Sequence, residues 1–442
     1  MSRAETPAHH TPAGLPADPA TPHTRTPRPA SAPVATLRNT ARDRKAALAI
    51  AAVCAVAVAG VAVSAPIHRV THTVAEAPAS LPAEAAAVPG AVVEAWSQED
   101  TSAAFTPKPL PVDGVVAIPQ GTGVIAVDPA TGEVRWRYER RGMPLCSLST
   151  SFGAVQAVFE GREGCGEVTS LAAQTGQYRA TRAARNAESV APVISNDSVG
   201  TVSPHWVELW RSDLVRTLEY GTNEVPQEPG MQPHEGCEIT AALTRKGNVA
   251  VSERCPEDPE TSHVRLMKAV PEDSRKPELS IEIDLKGQGH VVAISETHSA
   301  VYLESPSPRL YSFDAEGTLV GDRAVAPAPN DAQVEGRPAM YQYIADLPHH
   351  MSWFDGERLY LFDPETLEVA QVFEGAIGTG AAMAGRLLVP VADGIAVANW
   401  STGEVERVIP VTRDSTGPVS LAVVGDTILE QRDIELVALR PA

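Results

Sequence analysis

The stretch "GVIAVDPATGEVRWRYER", residues 123–140, decides the fold. An apolar run leads into the turn cluster Asp128-Pro129-Ala130-Thr131-Gly132, and alternation resumes through Val134, Trp136 and Tyr138. Asp128 can accept backbone N–H bonds within the turn, and Gly132 can take the left-handed conformation that a tight hairpin needs. The same pattern returns at Val168, His205, His263, Arg309, Arg358 and Gly394, with a truncated copy at Ile434. Eight copies over residues 91–442 average about 44 residues each, inside the ~40–50 range of propeller repeats. Each copy follows a shorter apolar run with glycine punctuation, such as "VDGVVAIP" (112–119) and "AGRLLVPVADG" (384–394). One unit is therefore four short strands, a propeller blade.

The eighth copy stops before a fourth strand. At the other end, "GAVVEAWSQ" (90–98) is a strand without a hairpin partner, and its Trp96 takes the place that Trp136 holds in the first copy. Pairing Ala91–Ser97 with the last blade closes the ring and removes two unpaired edges. The expectation is an all-β fold, an eight-bladed β-propeller over 91–442, with a seven-bladed ring as the alternative.

The repeat apolar-x-Ala-apolar-Asp-x-x-Thr-Gly-x-x-x-Trp resembles that of the PQQ-like quinoprotein propellers. The likeness is strong in the first copy, fair in the second, fifth, sixth and seventh, and weak elsewhere. The arrangement of tail, helix and acidic propeller resembles membrane-anchored propeller proteins of actinobacterial envelopes. For an enzymatic member the resemblance implies PQQ on the axis, Ca²⁺ held by Asp, Asn or Glu, a catalytic Asp and, commonly, a vicinal disulfide. This sequence has no adjacent cysteines and no Cys-x-x-Cys-His. No cofactor, metal or catalytic residue is assigned.

Ahead of the repeats, Ala46–Ala65 ("AALAIAAVCAVAVAGVAVSA") carries no charge and follows Arg42, Arg44 and Lys45. Twenty residues span about 30 Å as a helix, the thickness of a bilayer core. The basic flank puts the N-terminus in the cytoplasm and the repeats outside. Cleavage after Val63-Ser64-Ala65 competes with an uncleaved anchor. Residues 1–45 are rich in Pro, Ala and Thr and read as a disordered cytoplasmic tail, with Thr-Pro steps at Thr6, Thr11, Thr21 and Thr26 open to phosphorylation. Residues 66–90 read as an extracytoplasmic stalk.

The formal net charge is -19. Residues 1–45 hold seven Lys/Arg against three acids, so the rest of the chain carries -23. An acidic body repels phosphate backbones, which argues against nucleic-acid partners. Cys54 sits inside the apolar run. Cys146, Cys165, Cys237 and Cys255 lie beyond it at spacings of 19 and 18, each pair bracketing the first two strands of a blade. A three-residue loop Arg245-Lys246-Gly247 would set Leu243 opposite Val249 and Cys237 opposite Cys255. Disulfides Cys146–Cys165 and Cys237–Cys255 are expected, with a zinc site as the alternative.

Four further features carry weaker readings. His68 and His72 read as solvated stalk residues, with a metal pair as the sharper option. His349 and His350 read as a loop pair against a pH-sensitive rim patch. Residues 222–238 and 255–262 are the largest insertions, expected as solvated loops and as a place for recognition. Asp128 and Asp363 read as turn residues before they read as ligands. The expected function is a non-enzymatic, membrane-anchored extracytoplasmic module that binds another envelope protein or an envelope polymer. The alternatives are a PQQ dehydrogenase with a divergent site and a sensor with a phosphorylatable tail.

Overall fold

The structure is a computed structural model that describes residues 40–102, 104–222, 228–329, 340–415 and 417–442. The chain divides after Ala65 into two units. The described part of the first is the helix Ala41–Ser64, opened by a capping box in which Thr40 and Asp43 exchange hydrogen bonds with each other's backbone N–H. The helix starts five residues ahead of the apolar run, because Arg42, Arg44 and Lys45 favour helix and the cap satisfies its first free donors. It is long and apolar enough to cross a membrane. Most of the expected tail, residues 1–39, lies outside the described residues.

The described residues of the second unit form an eight-bladed β-propeller of antiparallel sheets. Blades 1 to 7 span residues 110–140, 145–183, 191–221, 238–286, 289–324, 344–374 and 381–410, and blade 8 joins 419–441 to Val92–Glu99. The first strand of each blade is innermost. The first seven repeats read from the sequence each fall on the third and fourth strands of one blade, and the truncated eighth falls on the third strand of blade 8.

Alternation in a propeller does not separate core from water, because both faces of a blade pack on its neighbours. Middle strands such as Val199–Ser203, Ser299–Leu303 and Thr427–Arg432 are buried throughout. Their polar residues therefore need partners inside the protein. Glu430, fully buried, receives Arg413 at 2.6 and 2.9 Å and Arg432 at 2.7 Å. Glu253 receives the Tyr220 hydroxyl at 2.8 Å and Arg265 at 3.3 Å.

Ring closure follows the expected strand. Val92–Glu99 pairs antiparallel with Glu435–Pro441, so the outermost strand of blade 8 comes from the start of the domain. Trp96 donates its indole N–H to the Pro129 carbonyl at 3.0 Å in the turn of blade 1. Trp136 repeats the contact one blade on, donating to the Ala173 carbonyl at 2.7 Å. Each ring lies on a turn glycine, Gly132 or Gly176, both at positive φ. A Cβ on either would stand 2.7 Å from the indole, so the glycine supplies both the turn and the room for the tryptophan.

Residues 66–90 do not form the expected free stalk. Val70–Thr73 adds a fifth strand to the outer edge of blade 1, pairing with Arg137–Arg140. Ala75 then donates to the Thr175 carbonyl of blade 2 at 2.9 Å. Ser80 crosses Gly114 of blade 1, and Pro82 and Ala83 cross Gly425 of blade 8. Arg407 of blade 7 holds the Val88 and Pro89 carbonyls at 2.9 and 3.1 Å. The segment is a strap across four blades. Its Pro and Ala content suits this role, since an extended chain over turn tips needs little side-chain volume and few N–H partners.

Removing residues 1–65 should leave melting unchanged. Removing 1–90 should lower the melting temperature through loss of the strap, and removing 1–100 should lower it much further by opening the ring and stripping Trp96. Equal melting of the last two proteins would contradict closure by Val92–Glu99. A second outcome concerns Asp100, which ends that strand. Burial pushes its carboxyl up to about 7, against the opposing N–H bond from Ser102. A raised carboxyl contributes stability while protonated and loses it as pH climbs from about 4 through 7. Asp100→Asn should therefore raise the melting temperature near pH 8 and leave it unchanged near pH 4 in paired thermal scans.

Candidate functional site

The innermost strands surround an axial cavity of about 520 Å³ at the end that carries the turns between first and second strands. Its lining comes from four blades and the segments leading into two: Thr150 of blade 2, Asn196 of blade 3, Arg245 of blade 4 and Asp346 of blade 6, with Lys108 just ahead of blade 1 and Tyr341 just ahead of blade 6. Arg245 and Asp346 form an ion pair at 2.9 Å across the axis-facing strands. Burial pushes the Asp346 carboxyl up, opposed by Arg245, Lys108 and Lys246. Lys108 is half-buried and has no hydrogen-bond or ion-pair partner among the described residues. Burial pushes its ammonium down, with Asp346 acting in the opposite sense. Tyr341 sets its ring edge-on to Phe105 at 5.2 Å. The cavity thus gathers two cations and one carboxylate inside an acidic body.

Sequence reading missed this group. Its members are neighbours only around the axis, and in the chain they are a lysine between two prolines, a turn arginine and an aspartate in a three-residue strand. The one local signal was a charge at the end of an inner strand, Arg245 or Asp346, where the other blades end on Val, Ser, Ile or Met.

Both expected disulfides form. Cys146–Cys165 ties the inner strand of blade 2 to its third strand, and Cys237–Cys255 clamps the first hairpin of blade 4. The route to the second differs from the expectation. The loop has two residues, Lys246 and Gly247, both at positive φ, so Leu243 faces Ala250 and not Val249. A bulge at Thr240 inserts one residue and restores the register, with Glu238 opposite Arg254. The Thr240 hydroxyl fixes the bulge on the Ser252 carbonyl and hydroxyl at 3.1 and 2.9 Å. Two offsets cancel and the cysteines meet, their Cα atoms 4.2 Å apart. The ligand atoms of Glu253, Cys237 and Cys255 lie within 4.8 Å of one another. With both sulfurs bonded to each other, the trio offers a metal no thiolate.

The remaining candidates resolve as structure. Asp128 Oδ1 accepts from the N–H groups of Ala130 and Thr131 at 2.9 and 3.1 Å, and Asp363 Oδ1 does the same for Glu365 and Thr366. His72 belongs to the fifth strand of blade 1, 2.7 Å from the Gly176 carbonyl and edge-on to Tyr138 and Tyr178. His68 precedes that strand, its carbonyl accepting from Arg141 at 3.1 Å. His349 and His350 join blades 6 and 7: His350 lies 2.8 Å from the Phe362 carbonyl and stacks on Trp400, and His349 meets the same indole edge-on. Residues 255–262 are no loop but the tip of a long hairpin whose second strand is Asp258–Lys268. In the other insertion, residues 223–227 lie outside the described residues, as do Thr6, Thr11, Thr21 and Thr26.

No protein-family model and no curated protein sequence matches the chain. Similar folds occur among solved structures. The computationally designed Ika8 protein is 13% identical over 80% of this chain and 99% of its own, with a TM-score of 0.51. Quinohemoprotein alcohol dehydrogenase from Comamonas testosteroni is 12% identical over 79% of this chain and 76% of its own, also at 0.51. BamB from Moraxella catarrhalis is 13% identical over 79% of this chain and 99% of its own, at 0.48. At such identities the likeness is one of fold. The resemblance drawn from the repeat is met at that level, as a β-propeller.

A non-reducing peptide map should recover Cys146 linked to Cys165 and Cys237 linked to Cys255. Loops of 19 and 18 residues correspond to about 3 kcal/mol each in the chain-entropy model. Replacing either pair by serine should lower stability by up to that amount in denaturant titrations. Four free thiols in protein exported by its host would contradict the pairing.

Proposed function

We propose that the chain is a membrane-anchored, extracytoplasmic binding or scaffolding module, not an enzyme, in which the closed propeller holds a rigid axial recognition site. The observation that carries this reading is the axial cavity. Its lining is contributed by inner strands of separate blades, so ring closure fixes the site's geometry without a ligand. A volume of about 520 Å³ falls in the range of small-ligand sites. Two disulfides suit an oxidising compartment, and the helix Ala41–Ser64 suits a signal anchor that leaves the N-terminus in the cytoplasm. The partner in this reading is another envelope protein or an envelope polymer, met through the rigid turns around the cavity.

Two measurements test the proposal. Purified protein mixed with PQQ and Ca²⁺ should show neither bound-quinone absorbance nor dye-linked dehydrogenase turnover; turnover would establish the quinoprotein alternative. In host cells, a membrane-impermeant maleimide should label Glu257→Cys and leave Ser2→Cys unlabelled, with an N-terminal tag retained on the mature protein. Loss of the tag, or the reverse labelling, would contradict the anchor and its orientation.

A further inference from the structure

Most cations of this propeller are already engaged. Arg413, Arg358, Arg265 and Arg182 each meet a carboxylate, and Arg245 holds Asp346. Lys108 lacks such a partner among the described residues, and it lines an axial space large enough for a small molecule. We propose that the axial cavity binds a small free anion, a carboxylate or phosphate compound, with the Lys108 ammonium as its principal contact and Arg245 as the second.

The inference goes beyond the proposed function: it rests on that reading's axial cavity as a binding site and gives it a ligand separate from the envelope partner met at the surrounding turns. A half-buried ammonium whose only nearby carboxylate among the described residues, Asp346, is already paired with Arg245 is costly to the folded protein. An anion bound beside it supplies the missing charge and the hydrogen-bond acceptors. Arg245 adds a guanidinium whose planar fork can serve Asp346 and a second oxyanion together. Asp346 opposes binding, since it competes for both cations. The exterior argues for a small ligand over a polymer-borne one, because a body of -23 beyond residue 45 repels a polyanion before it reaches the axis.

The charged and titratable groups that line the cavity with Lys108 are Asp346 of blade 6, Tyr341 just ahead of it and Arg245 of blade 4, and Asp346 also feels Lys246. Of these, the Lys108 ammonium is the group whose pKa burial moves downward, against Asp346. Anion binding needs it protonated, so affinity falls as pH rises through its lowered pKa.

Calorimetric titration of the full-length protein in detergent with citrate and with inorganic phosphate tests this, with trigalacturonate as the polymer-like arm and glucose as the neutral control. Citrate or phosphate should bind with a dissociation constant below about 10 mM, and trigalacturonate more weakly. Lys108→Met should weaken binding about tenfold or more, the scale of a lost charge-assisted hydrogen bond. Asp346→Asn should strengthen it severalfold. Lys108→Arg should keep binding and flatten the pH profile, because a guanidinium stays charged. Undetectable citrate and phosphate binding, or a folded Lys108→Met protein that binds within twofold of the wild type, would overturn the anion site. Trigalacturonate as the tightest ligand would overturn the choice of a free small anion. Maleimide topology and the PQQ assay do not depend on these titrations, so failure here is distinct from failure of the membrane-anchored binding module.

Discussion

The structure depends on one contact repeated between neighbours: an aromatic side chain on the outer strand of one blade lying on the turn of the next. Trp96 on Gly132 makes it across the join between the two ends of the domain, and Trp136 on Gly176 makes it where no join is needed. In both, the indole finds a backbone carbonyl in the turn, so the ring is buried without a stranded N–H. Elsewhere the slot is filled by other groups. Ile281 of blade 4 meets Gly317 of blade 5, and Gln371 of blade 6 meets Gly403 of blade 7 while donating to the Ser401 carbonyl at 3.2 Å. Blades 1 and 8 flank the join, and they keep the tryptophan.

Closure matters for function because the axial cavity has no existence in a single blade. Lys108, Arg245 and Asp346 approach one another only when blades 1, 4 and 6 are held around a common axis. The ion networks between blades serve the same end. Glu430 with Arg413 and Arg432, and Glu253 with Tyr220 and Arg265, are buried and hydrogen-bonded, so the blades settle in registers that keep these bonds. The strap of residues 70–90 adds covalent continuity across blades 1, 2, 7 and 8 on top of these contacts.

Much of this was legible in the sequence, for a physical reason. A repeat whose turn needs a side-chain acceptor and a left-handed residue leaves Asp-x-x-Thr-Gly in the chain, complete in the first copy and partial in others; that mark, with the strand alternation around it, located the blades, the closing strand and Trp96. The cysteine pairs were legible through the same repeat. Where the reading failed, the information was not local. The bulge at Thr240 is set by a hydroxyl bond to Ser252 on the opposite strand. The strap reads like a linker because its partners are turn tips of four blades, distant in sequence. The cavity charges were invisible for the same reason. The 19 residues between Ala324 and Ile344, the longest connection between blades, drew no notice although they lead to Tyr341 and Asp346.

The most direct test of the central claim is amide hydrogen exchange along Val92–Glu99 in the intact protein. If this strand is the outer member of blade 8, the N–H groups it commits to Glu435–Pro441 exchange as slowly as those of that partner strand, together with the Asp100 N–H bonded to the Ile434 carbonyl at 2.6 Å. Exchange of the whole stretch at the rate of exposed loops, with Glu435–Pro441 protected, would contradict closure of the ring by its own N-terminal strand.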